Sequence, residues 1–141
     1  MNGNDIVVFL NSQWPPSVNT LKGHATNFDA NTNTLEMSFV AKPEFCHSGD
    51  IVQGGYITGM LDSVMAYSVY GCPTVEALVA TLELKVSFFN VGNSGSLRGI
   101  GRIIKLGRSI SFLSGELYQG EKQIAAATST VKMLYPRANS N

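Results

Sequence analysis

Residues 47–71, HSGDIVQGGYITGMLDSVMAYSVYG, hold the one long segment with helical periodicity in this chain of 141 residues. Ile57, Met60, Leu61, Val64 and Met65 recur at the spacing of a single buried helical stripe. Gly59, Ser63 and Ala66 make a second stripe of small residues, where another backbone or a ligand can approach closely. Gly71 and Pro73 supply a stop. The start is unusual, because a helix built only for stability opens on Ser, Asp or Asn followed by good helix formers. Gly54 and Gly55 stand there instead, and each glycine costs about 0.5–1 kcal/mol relative to Ala inside a helix. In return, backbone N–H groups lie uncovered at the positive end of the helix dipole, where an oxyanion can bind. A plain tight turn into the helix is the competing reading of the same two residues. Asp62 is the lone acid of this apolar helix, with Thr58, Gly59, Met65 and Ala66 as its helical neighbours. It is either a solvated surface group or a functional one, and its surroundings favour function.

Outward from the helix, the chain reads as strands and turns. Residues 5–10, DIVVFL, are a short apolar piece, either strand or helical turn, and Pro15-Pro16 break it. Leu21 to Asn31 is strand-like, and Asn31-Thr32-Asn33-Thr34 is a turn cluster. Leu35, Met37, Phe39 and Ala41 alternate with polar or small neighbours, which gives the second strand of a hairpin. Pro43 and Glu44 to Gln53 form a loop leading into the helix. After it, residues 81–89 alternate, with Leu82, Leu84, Val86 and Phe88 on one face and Thr81, Glu83, Lys85 and Ser87 on the other. A loop at Asn90 to Gly95 precedes strands over Leu97–Leu106, Ser109–Tyr118 and Ile124–Leu134, joined by turns at Gly107-Arg108 and at residues 119–122. The order strand, strand, helix and four strands predicts an α+β domain, a curled antiparallel sheet of five to six strands wrapped around one long helix. Residues 1–141 are read as one domain, with 1–20 as an N-terminal extension and 136–141 as a flexible polar tail.

Composition excludes several function classes. Ten basic and ten acidic residues give zero formal net charge, so no electrostatic footprint for nucleic acid is expected. No apolar run approaches the ~18 residues of a membrane span, and Asn2, Asn4 and Asp5 interrupt any signal peptide. Cys46 and Cys72 stand in no metal-ligand spacing and fit free thiols in a reducing compartment, hence a cytoplasmic location. A metal reading of Cys46, His47 and His24 is weak, since adjacent residues chelate poorly, and no metal or cofactor is expected. The low charge also hints at surface buried in an oligomer.

The element order together with GDIVQGGYITGMLD resembles the hotdog-fold acyl-CoA thioesterases, most closely the PaaI-type group of the phenylacetic acid pathway. The likeness spans roughly residues 20–135, and ATLELKVSFFNVG is similar to that group's strand after the helix. Gly54 and Gly55 match its glycine pair and Asp62 its acid; Gln53 stands where the group has His, and His47 where it often has Asn or Gln. Both replacements retain hydrogen-bond donors. The resemblance implies that the Gly54 N–H polarises a thioester carbonyl, that Asp62 acts as nucleophile or general base, that His47 adds a hydrogen bond, and that Thr81 orients the water or the acid. Gln53, Gly55 and Met65 are candidate substrate contacts; Tyr56, Met60 and Met65 read equally well as core. Arg98, Arg102, Lys105 and Arg108 are available for coenzyme A phosphates, Arg102 and Arg108 foremost, although a solvated basic face is the commoner origin of such a cluster.

Distance adds a constraint. Gly54 and Asp62 are eight residues apart on one helix, about 12 Å at 1.5 Å per residue. They cannot both reach one carbonyl carbon, where contacts are about 3 Å. Two antiparallel helices across a two-fold axis remove the conflict, so a homodimer, or a tetramer of two dimers, is expected. The expected activity is hydrolysis of an acyl-CoA. An acyl-carrier-protein thioester, a non-catalytic acyl-CoA-binding protein of this fold, and a hydratase or dehydratase are the alternatives.

Overall fold

A computed structural model describes residues 1–137; the expected tail beyond Pro136 lies mostly in residues 138–141, outside the described residues. Twelve elements follow one another: helices α1 (Gly3–Asn11) and α2 (Pro16–Thr20), strands β1 (His24–Asp29) and β2 (Thr34–Ala41), a 3-10 turn (Pro43–Phe45), short strands β3 (Cys46–His47) and β4 (Ile51–Val52), helix α3 (Gly54–Tyr70), and strands β5 (Leu78–Phe88), β6 (Gly95–Lys105), β7 (Ile110–Gln119) and β8 (Lys122–Leu134). Six strands form one antiparallel sheet in the order β1-β2-β6-β7-β8-β5, with β3 and β4 as a separate hairpin. α3 packs across the face of the large sheet against β2, β5, β6, β7 and β8. The expected α+β hotdog architecture is therefore the one observed.

The predicted stripe of α3 is the core. Ile57, Met60, Leu61, Val64 and Met65 are all buried, joined by Ser68 and Val69. The close approach expected at the helix's small residues is made chiefly by the sheet. A Cβ at Gly101 would collide with the Val64 carbonyl, and one at Gly115 would press on the Met65 side chain. Gly101 and Gly115 face each other across β6 and β7, so the pair forms a trough in which the helix backbone lies directly on the sheet.

Two expectations change. The undecided segment 5–10 is helix, not strand: Asn2 caps α1, the Asn2 side chain and Asp5 form a reciprocal capping box, and Ile6 and Leu10 are buried one turn apart. The simple alternation read over 81–89 fails at Leu82. Thr81 pairs with Val131 and Glu83 with Thr130, so Leu82 is an extra residue, a β-bulge. The bulge moves Thr81 to the helix side, in line with Val79 before it and Leu84 and Val86 after it, while Leu82 is 58% exposed.

Candidate active site

The sequence makes α3 start where it does through three backbone and side-chain anchors. Gln53, in extended conformation, is the N-cap, and its Oε1 accepts the Gly55 N–H at 2.7 Å. The Gln53 N–H donates to the Phe45 carbonyl (2.8 Å) and the Val52 N–H to the Gly92 carbonyl (2.9 Å). Beyond them, the Asp50 carboxylate accepts the Ser94 N–H (3.1 Å) and the Asp50 carbonyl accepts from the Asn93 side chain (2.7 Å). Asn93 in turn exchanges two hydrogen bonds with the Gln119 side chain. The hydrogen bonds from Ser94 hold the Asp50 carboxyl below its ordinary range. Asp50, Asn93 and Gln119 thus latch the loop before the helix onto the sheet. Nothing in their local sequence marks them, because the three lie in separate polar turns.

At this mouth Gly54 presents its N–H, and no acceptor meets it among the described residues. A cleft of about 370 Å³ opens beside it, walled by Ile51, Val52, Ile57, Phe88 and Val91. A Cβ on Gly54 would lie 3.2 Å from the Phe88 ring, so glycine keeps this mouth open. Asp62 lies two turns further on, half-buried, and its Oδ1 accepts the Thr81 hydroxyl at 2.8 Å. No other donor reaches that carboxylate among the described residues. The pairing of Asp62 with Thr81 depends on the Leu82 bulge, which turns Thr81 toward the helix.

The other predicted residues fall as follows. His47 is exposed at the end of the β3–β4 hairpin, its Nδ1 3.0 Å from the Ser48 hydroxyl. Gly55 has its N–H occupied by Gln53. Met65, read as a possible substrate contact, is fully buried against Gly115 and serves the core. Arg102 is ion-paired with Glu116 at 2.5 Å and Arg98 with Glu36 at 2.8 Å, so neither guanidinium is a free phosphate ligand. Arg108 is exposed in the β6–β7 turn, where its carbonyl accepts the Tyr135 hydroxyl. Cys46 and Cys72 are free thiols, and the described residues contain no cluster of three metal-ligating side chains.

The α3 mouth offers a bare amide, an oriented carboxylate stands two turns on along the same helix, and both lie on the fold of the hotdog thioesterases. The sequence pattern of the Thioesterase superfamily matches residues 49–126, and the chain belongs to that family. A phenylacetic acid degradation-related protein from Ralstonia eutropha JMP134, described as a candidate thioesterase, shares 35% identity, covers 86% of this chain and 92% of its own, and superposes with a TM-score of 0.81. A Thermoplasma volcanium protein named provisionally as an esterase is 26% identical over 87 residues; the match takes in 62% of this chain and 65% of the relative's length. A Streptococcus mutans UA159 protein whose structure holds acetyl-CoA has the same fold, with 18% identity, a TM-score of 0.71, and coverage of 82% of this chain and 91% of its own. The likeness to the PaaI-type group read from the helix motif thus stands on both sequence and fold.

Proposed function

We propose that this protein hydrolyses acyl-CoA thioesters to the free acid and coenzyme A, at sites shared between two copies of the chain. One observation carries the reading: the Asp62 carboxylate is held by Thr81 on a helix whose opening amide, Gly54, faces a cleft. The acetyl-CoA found in the Streptococcus mutans relative supports the choice of thioester.

In the reaction the thioester carbonyl oxygen accepts the Gly54 N–H. Asp62, acting as base, takes a proton from a water whose oxygen attacks the carbonyl carbon. Negative charge passes to the carbonyl oxygen, where the amide and the positive helix end stabilise it; one such donor contributes roughly 3–4 kcal/mol. Collapse re-forms the carbonyl, breaks the carbon–sulfur bond and releases the thiolate of coenzyme A, which takes up the proton. Direct attack by the Asp62 oxygen, giving an anhydride that water then cleaves, uses the same geometry. The Thr81 hydrogen bond fixes the carboxylate in either route. His47 is the candidate for a second hydrogen bond to the carbonyl.

Because α3 is one continuous helix, Gly54 and Asp62 of one protomer serve two different carbonyls. The partner supplies the missing half through β5. This strand is an edge of the sheet, eleven residues long, with Leu78, Leu82 and Phe88 65%, 58% and 53% exposed. Long apolar edges of this kind pair with another strand. Antiparallel pairing of two β5 strands brings the Phe88 end, beside Gly54, to the partner's Thr81 and Asp62. A cytoplasmic location is consistent with the two free thiols, and no helix among the described residues is long and apolar enough to cross a membrane.

A panel of acyl-CoAs assayed for free-thiol release with wild type and Asp62→Asn tests the reading. Saturable release that the substitution lowers by about two to four orders of magnitude is expected. Binding without release by the wild type would make the protein a carrier of the same ligand. Hydration of crotonyl-CoA by the wild type, with no release of thiol, would instead make the protein a hydratase that pairs a histidine with the acid.

A further inference from the structure

Gly54 and Gly55 have no side chains with which to hold the mouth of α3, and glycine is the least restrained of all backbones. The Gln53 side chain orients the Gly55 N–H and leaves the Gly54 N–H to the chain that precedes it. A donor stabilises charge in a reaction only when it is aimed before the charge develops. We infer that Asp50, Asn93 and Gln119 are positioning residues: through the loop before α3 they aim the Gly54 N–H, and His47 with it, at the thioester carbonyl.

Three observations carry the assignment, which rests on hydrolysis at Gly54 and Asp62. The first is an unbroken run of contacts from the sheet to the amide. β7 is an interior strand of the sheet and Gln119 is its last residue. The Gln119 side chain meets Asn93 at two points: Oε1 accepts the Asn93 N–H (2.9 Å), and Nε2 donates to the Asn93 carbonyl (2.8 Å). Asn93 Nδ2 donates to the Asp50 carbonyl (2.7 Å), and the Ser94 N–H donates to the Asp50 carboxylate (3.1 Å). Between Asp50 and Gly54, the N–H groups of Val52 and Gln53 are tied to the Gly92 and Phe45 carbonyls. The second observation is the cleft. Ile51 and Val52 wall it on one side, Val91 and Gly92 on the other. Asp50 adjoins the first pair and Asn93 the second, so their bond sets the spacing of the walls, although none of the three positioning residues lines the cleft. The third is His47. It pairs with Ile51 in the β3–β4 hairpin, and the turn between them is tight, with Ser48 and Gly49 both at positive φ (47° and 85°). Asp50 is the next residue of that turn, so pinning it pins His47. Both candidate donors to the carbonyl therefore hang on one latch.

Thiol-release kinetics and one spectroscopic signature test the assignment, with the acyl-CoA that the wild type cleaves fastest. Asp50→Ala removes the acceptor of the Ser94 N–H, Asp50→Asn keeps a side-chain oxygen there, and Gln119→Leu removes both bonds to Asn93. Asp50→Ala and Gln119→Leu are expected to lower kcat by about ten- to a hundredfold, with a smaller change in KM, and Asp50→Asn to restore most of the loss. In an Asp62→Asn background, the infrared carbonyl stretch of bound acyl-CoA should lie below that of the free ester. Adding Asp50→Ala or Gln119→Leu should return it toward the free value, which a loss of stability alone would not do. Asp50 is exposed, so its variants carry the test if Gln119→Leu does not fold. Wild-type kcat in the latch variants, an equal loss in Asp50→Asn and Asp50→Ala, or an unmoved carbonyl band overturns the assignment while hydrolysis at Asp62 stands. If the wild type releases thiol from no acyl-CoA, the hydrolytic reading fails and takes this one with it.

Discussion

Thr81 and Asp62 make the smallest unit of the candidate site: one hydroxyl, one carboxylate oxygen, 2.8 Å apart. A hydrogen bond to a charged group is worth about 1.5–3 kcal/mol, and here it holds the acid in one orientation. Thr81→Val, nearly isosteric, is expected to lower kcat by about tenfold or more with little change in KM, as read from thiol-release kinetics. Thr81→Ser restores most of the loss. At the helix mouth Gln53 works on stability, since its side chain caps Gly55. Gln53→Ala removes the cap and costs about 1 kcal/mol, seen as a lowered denaturant midpoint. Of these residues Asp62 was legible in the sequence, because a lone acid among Met, Leu, Val and Gly contradicts the stripe around it. Thr81 was legible only through resemblance to the family. Strict alternation put it on the face opposite Leu84, and a bulge leaves no mark in a run of β formers. Arg102 misled for a related reason: spacing shows a cation but not the Glu116 and Tyr118 side chains that occupy its neighbourhood.

Elements meet through backbone contact as much as through side chains. α3 sits in the trough of Gly101 and Gly115, which the sequence hid because isolated glycines in strands read as weak positions. Gly101→Ala sets a methyl group against the Val64 carbonyl. Overpacking of this sort costs about 1–3 kcal/mol or more, and equilibrium unfolding of the variant measures it. On the outer face Glu116 joins β6 to β7, accepting from the Tyr118 hydroxyl first and then from Arg102; these bonds hold its carboxyl below the ordinary 4.5. A carboxyl lowered by folding stabilises the native state fully above its unfolded pKa, and that contribution disappears as pH falls through the lower folded value. The stability difference between wild type and Tyr118→Phe is therefore present at neutral pH and shrinks as the pH drops below about 4.5, the ordinary value for this carboxyl. α1 was unreadable for lack of length: six apolar-rich residues fit strand or helix equally, and the deciding Asn2–Asp5 box lies at their margin.

At the scale of the whole molecule, the proposed reaction requires a shared site, because one continuous helix keeps Gly54 and Asp62 of the same chain apart. The succession of strands along the chain was legible from their periods and turns, but the chain pattern alone could not say which strands end the sheet; they are β1 and β5, and β5 carries Thr81 and the Phe88 ring beside Gly54. Charge placed on its exposed bulge, as in Leu82→Lys, should split the dimer in sedimentation velocity and remove thiol release while far-UV circular dichroism stays native. A mixing experiment distinguishes a shared site from one confined to a single chain. Gly54→Pro deletes the proposed oxyanion donor at a helical position that tolerates proline, and Asp62→Asn deletes the base. Each homodimer should be nearly inactive. After the two variants are unfolded together and refolded at equal amounts, half of the dimers are mixed, and each mixed dimer has one site with a wild-type Gly54 facing a wild-type Asp62. About a quarter of wild-type activity should then return. A site formed within one chain predicts no recovery, because no single chain in the mixture carries both groups.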